Sequence, residues 1–310
     1  MTHTRTDAAR SSMARAQLLA LVLFASTGCD STDRLASNTS DNATDATVTF
    51  ASTSLTGIPF GLSAQPLSLY GPTYTGGLMN PVQPESLLAR LVAVRGAKAR
   101  VALNFAGGPL QYTNADGTFN LDLWKARVAR YSSIDFSSYI NDGTVIGHYL
   151  IDQPNCTTCW GGQAIPQDMV EAMAQYSKSL WPGMTTIARA EATWLSGYAG
   201  QYVYLDAGWA QYVVRKGDVN TFLAGNVAAA QSEGLGLVVG LNALKGNVDQ
   251  SSLTATQIKN FGSVLLGSSY PCAFISWQYD SAYLAQTDIE SAMELLSKKA
   301  KRHAPTSCRQ

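Results

Sequence analysis

From position 58 onward the chain alternates short apolar runs with longer segments whose apolar residues recur at helical spacing. This alternation constrains the fold more than any other feature. The runs expected to form strands cover 58–63, 100–106, 145–152, 185–191, 202–209, 235–244 and 272–280. The segments expected to be helical are 85–95, 121–131, 166–180, 219–233, 254–266 and 287–301. In the first of them Leu87, Leu88, Leu91 and Val94 make one apolar stripe. Repeated strand–helix units imply a parallel sheet, because each helix carries the chain back to start the next strand in the same direction.

In a single domain of this size such units close into a TIM-type (β/α)8 barrel. An irregular barrel of seven to eight strands and a doubly wound open sheet are also compatible with the pattern. An eighth strand is expected near 67–70. Side-chain parity gives several strands an apolar face for helices and a small or polar face for a lumen. Val101, Leu103 and Phe105 alternate with Ala102, Asn104 and Ala106, and Val239 and Leu241 alternate with Gly240 and Asn242. Likewise Val203 and Leu205 oppose Tyr204 and Asp206, while Ile275 and Trp277 oppose Ser276, Gln278 and Asp280. On this reading His148, Leu150 and Asp152 share the lumenal face, as do Arg189 and Glu191.

His148 is the one histidine inside the strand–helix pattern and is expected as an interior residue, so a histidine-rich metal site is excluded. No G-x-S-x-G elbow and no P-loop occurs, and no metal or organic cofactor is expected. What remains is a set of strand-end carboxylates. Glycoside hydrolysis needs two carboxyl groups across the scissile bond, one protonated and one ionised. Asp152, Glu191 and Asp280 are the candidate catalytic residues. Asn104, Gln153, Asp206, Asn242 and Gln278 are candidate ligands to sugar hydroxyls, and Trp160, Trp194 and Trp209 candidate stacking surfaces. The competing reading is structural: Arg189, Glu191 and Asp206 would form a buried ion-pair network, and Asp152 or Asp280 would cap a helix.

Asp152-Gln153-Pro154 resembles the strand-end Asn/Asp-Glu-Pro motif of (β/α)-barrel glycoside hydrolases, in which Glu is the general acid/base. Ser276-Trp277-Gln278-Tyr279-Asp280 is similar to the Trp-Gln-Tyr strand end of muramidase-type barrels. The resemblance implies an exported barrel acting on a carbohydrate. It also puts Gln153 where the family carries its acid, and an amide cannot donate that proton. Either Asp152 takes the acid's place, or the barrel binds a glycan without cutting it; a partner-binding scaffold is a third reading.

Arg5, Arg10 and Arg15 precede the apolar run 18–25, which is too short to span a bilayer and ends in Ser26-Thr27-Gly28-Cys29. This resembles the signal and lipobox of bacterial lipoproteins, with Ser26 where that family usually has Leu, and implies lipidation of Cys29 after removal of 1–28. Ordinary secretion is the alternative. Asp30 resembles an inner-membrane retention signal, and 29–50 is too polar to bury a core, which makes it a tether to a single domain at 51–310. An exported, membrane-anchored protein, facing the periplasm or the cell surface, is expected.

Export favours disulfides, and four cysteines after Cys29 allow three pairings. Cys156 and Cys159 follow a strand end; Cys272 opens the last strand, and the final helix returns the chain to that side before Cys308. A seven-residue strand spans roughly 23 Å, against about 4.4–6.8 Å between disulfide-bonded Cα atoms. Cys156–Cys159 and Cys272–Cys308 are therefore the expected pairs. With 22 basic and 22 acidic residues the formal charge is zero, so no nucleic-acid partner is expected. The expected partners are a carbohydrate and, through the lipid, a membrane; the protein is expected to be a monomer.

Overall fold

A computed structural model describes residues 56–309. Among them eight parallel strands pair in chain order: β1 (Phe60–Ser63), β2 (Gly76–Met79), β3 (Arg100–Leu103), β4 (Val145–Asp152), β5 (Thr186–Arg189), β6 (Ala207–Tyr212), β7 (Gly236–Leu241) and β8 (Ala273–Ser276). β8 pairs with β1 in parallel, with Phe60 opposite Phe274, and closes the sheet. The fold is the TIM-type (β/α)8 barrel, and closure excludes the open doubly wound sheet.

The outer helices are α1 (Leu87–Gly96), α2 (Leu121–Ala129), α3 (Ser137–Asn141), α4 (Gln167–Leu180), α5 (Ala192–Leu195), α6 (Val219–Ser232), α7 (Ala255–Leu265), α8 (Ser281–Leu284) and α9 (Thr287–Arg302). Their ends carry local signals. Thr254 and Gln257 form a reciprocal capping box on α7, and Asn120 and Asp218 cap α2 and α6. α9 has Asp288 and Glu290 in its first turn and Lys299, Lys301 and Arg302 in its last, which complements the helix dipole.

Two strands differ from expectation. The eighth strand is β2, not 67–70, where Leu67–Leu69 forms a 3-10 turn. β2 reads Gly-Gly-Leu-Met and so lacks the β-branched pattern that marks a strand. Glycine is required along this seam: a Cβ on Gly61 would stand 1.7 Å from the Gly76 carbonyl oxygen. β6 begins at Ala207, five residues later than expected, because the carboxylate of Glu171 on α4 accepts the N–H groups of Val203, Tyr204 and Leu205 at 2.7, 2.8 and 2.9 Å. Those three donors are thereby withheld from the sheet.

Two apolar layers result. Between sheet and helices lie Phe60, Val101, Leu103, Phe105, Leu150, Ile151, Val239, Leu241 and Phe274. Inside the barrel lie Leu78, Ala102, Tyr149, Ile187, Trp209, Val238 and Ile275. The expected faces of β3 and β7 agree with this; those of β4 and β8 require correction. His148 and Leu150 face the helices, since β4 shifts register against both neighbours, between Val101 and Ala102 on β3 and between Tyr149 and Ile151 on β4. On β8 it is Ile275, not Ser276, that fills the lumen.

Both expected disulfides are present, with Cα–Cα distances of 5.3 Å for Cys156–Cys159 and 5.0 Å for Cys272–Cys308. The second closes the lower end of the lumenal cluster. Two disulfides fit an extracytoplasmic protein. The expected signal segment, Cys29 and the tether lie outside the described residues. No helix among the described residues is long and apolar enough to cross a membrane.

Candidate functional site

The C-terminal ends of the strands surround a cavity of about 260 Å³ lined by Gln153, Arg189, Glu191, Trp209, Gln211, Arg215, Lys216 and Asn242, among others. Its floor comes from β5 and β6. Alternation along β6 sends Ala207, Trp209 and Gln211 inward, and along β5 it sends Ile187 and Arg189 inward. Trp209 is 1% exposed and meets Tyr149 edge-on, with ring centroids 5.6 Å apart. Its indole Nε1 has no hydrogen-bond partner within the protein, and neither have Gln211 Nε2 or, beneath them, Ser63 Oγ. Burial, and then the negative charge of Asp152, hold the Tyr149 phenol well above its usual range.

Arg189 organises the wall. Its guanidinium donates to Asp152 Oδ1, lies 4.7 Å from the ring centroid of Trp277, and reaches Gln211 Oε1 at 3.5 Å. It is 4% exposed, whereas the Asp152 side chain is 33% exposed. The register shift in β4 brings Asp152 opposite Arg189. Glu191, just past β5, accepts from Lys216 Nζ in the turn after β6. Asn242 follows β7 and uses Oδ1 to accept from Lys245 N–H at 3.1 Å, which leaves its amide N–H groups for the cavity.

Gln153 sits at the rim with φ +44°, and the Trp160 indole donates to its carbonyl at 2.9 Å. The loop closed by the Cys156–Cys159 disulfide follows directly, and Cys156 N–H donates to the Gln153 carbonyl at 2.9 Å. The motif residue is thus held by backbone, and its amide side chain is exposed.

Of the residues expected to form a site, Asp152, Gln153, Glu191, Trp209 and Asn242 come together at this mouth, Asp152 through its contact with Arg189. The others do not join them. Asp206 stands at the opposite, N-terminal end of β6, where it pairs with Lys178 at 2.7 Å and accepts from Thr186 N–H at 2.9 Å. The late start of β6 put it there. Asp280 caps α8 by accepting from Tyr283 N–H at 2.8 Å. Asn104 spends both ends of its amide on Asn80 and Gly107. Trp160 is buried against Tyr112 and Phe119, Trp194 lies on α5 outside the cavity, and Gln278 is half-buried beyond β8 and does not line it.

The sequence pattern does not single out Gln211, Arg215, Lys216 or Tyr149, and it gives Arg189 a structural role only. The inward alternation Ala207, Trp209, Gln211 carried the signal, once the strand is placed after Asp206. His148 is a core residue: its Nδ1 is 2.8 Å from Ser177 Oγ, and its ring lies among Phe105, Trp124 and Trp181. Among the described residues no cluster of His, Cys, Asp and Glu could hold a metal ion.

No family model matches the chain, and no curated protein matches it. Solved structures do. A cellulase in complex with an inhibitor is 12% identical with a TM-score of 0.52, over 79% of this chain and 92% of that one. A putative α-L-fucosidase from Bacteroides thetaiotaomicron is 11% identical with a TM-score of 0.51, over 79% and 94%. A GH2 β-galacturonidase from Eisenbergiella tayi is 11% identical with a TM-score of 0.51, over 79% of this chain and 51% of that one. At such identities the likeness is one of fold alone: the chain shares the (β/α)8 barrel of these solved structures.

Proposed function

We propose that the barrel mouth binds a carbohydrate. The observation that carries this reading is the make-up of the cavity: an indole and four amide side chains, from Gln153, Asn155, Gln211 and Asn242, line it together, and the buried Trp209 Nε1 and Gln211 Nε2 carry no partner within the protein. A concave site that offers directed donors and acceptors over an aromatic floor suits sugar hydroxyls and ring faces. Both strand-end carboxylates are already engaged by cations, Asp152 by Arg189 and Glu191 by Lys216, and an amide stands at the motif position of the acid. Binding without cleavage is therefore the reading the geometry favours.

Hydrolysis is the second reading. Asp152 and Glu191 follow one another at the ends of adjacent strands on one mouth, which is how a carboxylate pair would flank a bond. Asp152 would then act as acid/base and Glu191 as its partner. In either case the N-terminal signal and Cys29 would export the barrel and anchor it to a membrane, where it would meet extracellular or periplasmic glycans as a monomer.

A glycan panel read for binding and for release of reducing ends tests both. Binding without release is expected, with Trp209→Phe, which removes one indole N–H, weakening it about fivefold. Release by the wild type that Asp152→Asn and Glu191→Gln each abolish would establish the second reading. Absence of binding to every glycan would overturn both.

A further inference from the structure

The mouth is charged in a way that sugar hydroxyls alone do not require. Three cations line it, Arg189, Arg215 and Lys216, on a chain whose formal charge is zero. Two are matched, Arg189 by Asp152 and Lys216 by Glu191. Arg215, in the turn Val214–Lys216 directly after β6, forms no ion pair or hydrogen bond among the described residues, yet its side chain borders the cavity. The local surplus of one positive charge faces the same space as the unpartnered Trp209 and Gln211 donors.

We infer that the glycan held here carries an anionic substituent, a carboxylate or a sulfate, and that Arg215 pairs with it. The inference rests on the carbohydrate reading of the mouth and specifies its ligand class. The physical reason is directional. A guanidinium presents parallel N–H donors that match two oxygens of a carboxylate or sulfate, and a cation with no protein partner is matched by binding such a group. The neighbouring donors set the geometry: Trp209 Nε1, Gln211 Nε2 and the Asn242 amide all offer hydrogens, while the lining carboxylate Glu191 and the adjacent Asp152 are already taken up. A donor-rich, acceptor-poor pocket favours a sugar with acceptor-only oxygens over a neutral one. The cavity holds about one sugar residue, so the anionic group would lie on the ring seated over Trp209. Arg215 is exposed, and its replacement leaves the core untouched.

The test uses the full-length protein and a panel of matched oligosaccharides of equal length and linkage: neutral, uronic-acid and O-sulfated. Binding is measured at about 50 mM and about 500 mM salt, for wild type, Arg215→Gln and Arg215→Lys. Anionic members are expected to bind at least tenfold tighter than neutral ones. That preference should fall with salt, be lost in Arg215→Gln and be partly restored in Arg215→Lys. Whether uronate or sulfate binds better identifies the group. Equal binding of the neutral set, or a preference unchanged in Arg215→Gln, overturns the inference and leaves the carbohydrate reading standing. A panel without any binder overturns both.

Discussion

Arg189 and Asp152 face each other across adjacent strands of the barrel, and their pairing exists because β4 slips by one residue before it reaches the mouth. The same guanidinium lies against Trp277, just past β8, so one side chain links three strand ends. The link is more than charge: a planar fork both bonds the carboxylate and stacks on the indole.

Replacing Arg189 by Met strands a partly buried carboxylate and is expected to lower stability by about 2 kcal/mol, since the exposure of Asp152 softens the loss. Arg189→Lys keeps the charge but not the fork, and should recover less than half of that. Urea unfolding measures both. A fully recovered lysine variant would show that geometry at this position is immaterial.

Asp206 is a test of location. It sits at the far end of the barrel, 8% exposed, and bonds Lys178 and the backbone of β5. Asp206→Asn is expected to lose about 3 kcal/mol through the unpaired lysine, while the folded fraction keeps wild-type glycan affinity. An affinity loss with unchanged stability would return Asp206 to the binding site.

Acid stability should depend on His148. Burial pushes its ring down to about 3 from the ordinary 6.5. Below 6.5 the unfolded chain takes up a proton that the folded chain refuses. Stability from this group is complete above that pH and falls by about 1.4 kcal/mol per pH unit toward the folded value. His148→Phe removes the group, so the difference between unfolding free energies at pH 7 and pH 5 should shrink by about 2 kcal/mol. An undiminished difference would assign the acid sensitivity to other side chains.

The two disulfides should differ in worth. Cys272–Cys308 joins residues 36 apart and Cys156–Cys159 residues 3 apart. Loop-closure entropy then gives about 4 kcal/mol for the first and about 2 kcal/mol for the second. Paired Cys→Ser variants measured by thermal unfolding check the order. The short loop adjoins Gln153, whose carbonyl accepts from Cys156 N–H at 2.9 Å, so loss of this disulfide is expected to weaken glycan binding as well.

Much of this molecule was legible before any coordinates. Seven of the eight strands and the six long helices follow from the period of apolar residues, because burial on a sheet or against a sheet imposes that period locally. The disulfide pairs followed from strand length alone, since a sulfur bridge cannot span a barrel. β2 was illegible because glycine carries no side chain to declare a face.

The site was only half visible. Asp152, Gln153, Glu191, Trp209 and Asn242 could be placed at strand ends from the sequence, but not which ends meet. Side chains alternate every residue, so a single slip reverses a face, and the slip in β4 is set by its neighbours on both sides. The start of β6 was decided by a carboxylate more than thirty residues away, whose three accepted N–H groups leave Asp206 at the base of the barrel and carry Gln211 up to its mouth. Local pattern determined that this chain forms alternating strands and helices of a parallel sheet, and the pairing of β8 with β1 closed that sheet into a barrel. Long-range pairing decided what the barrel holds out to solvent, because register is a property of two strands and never of one.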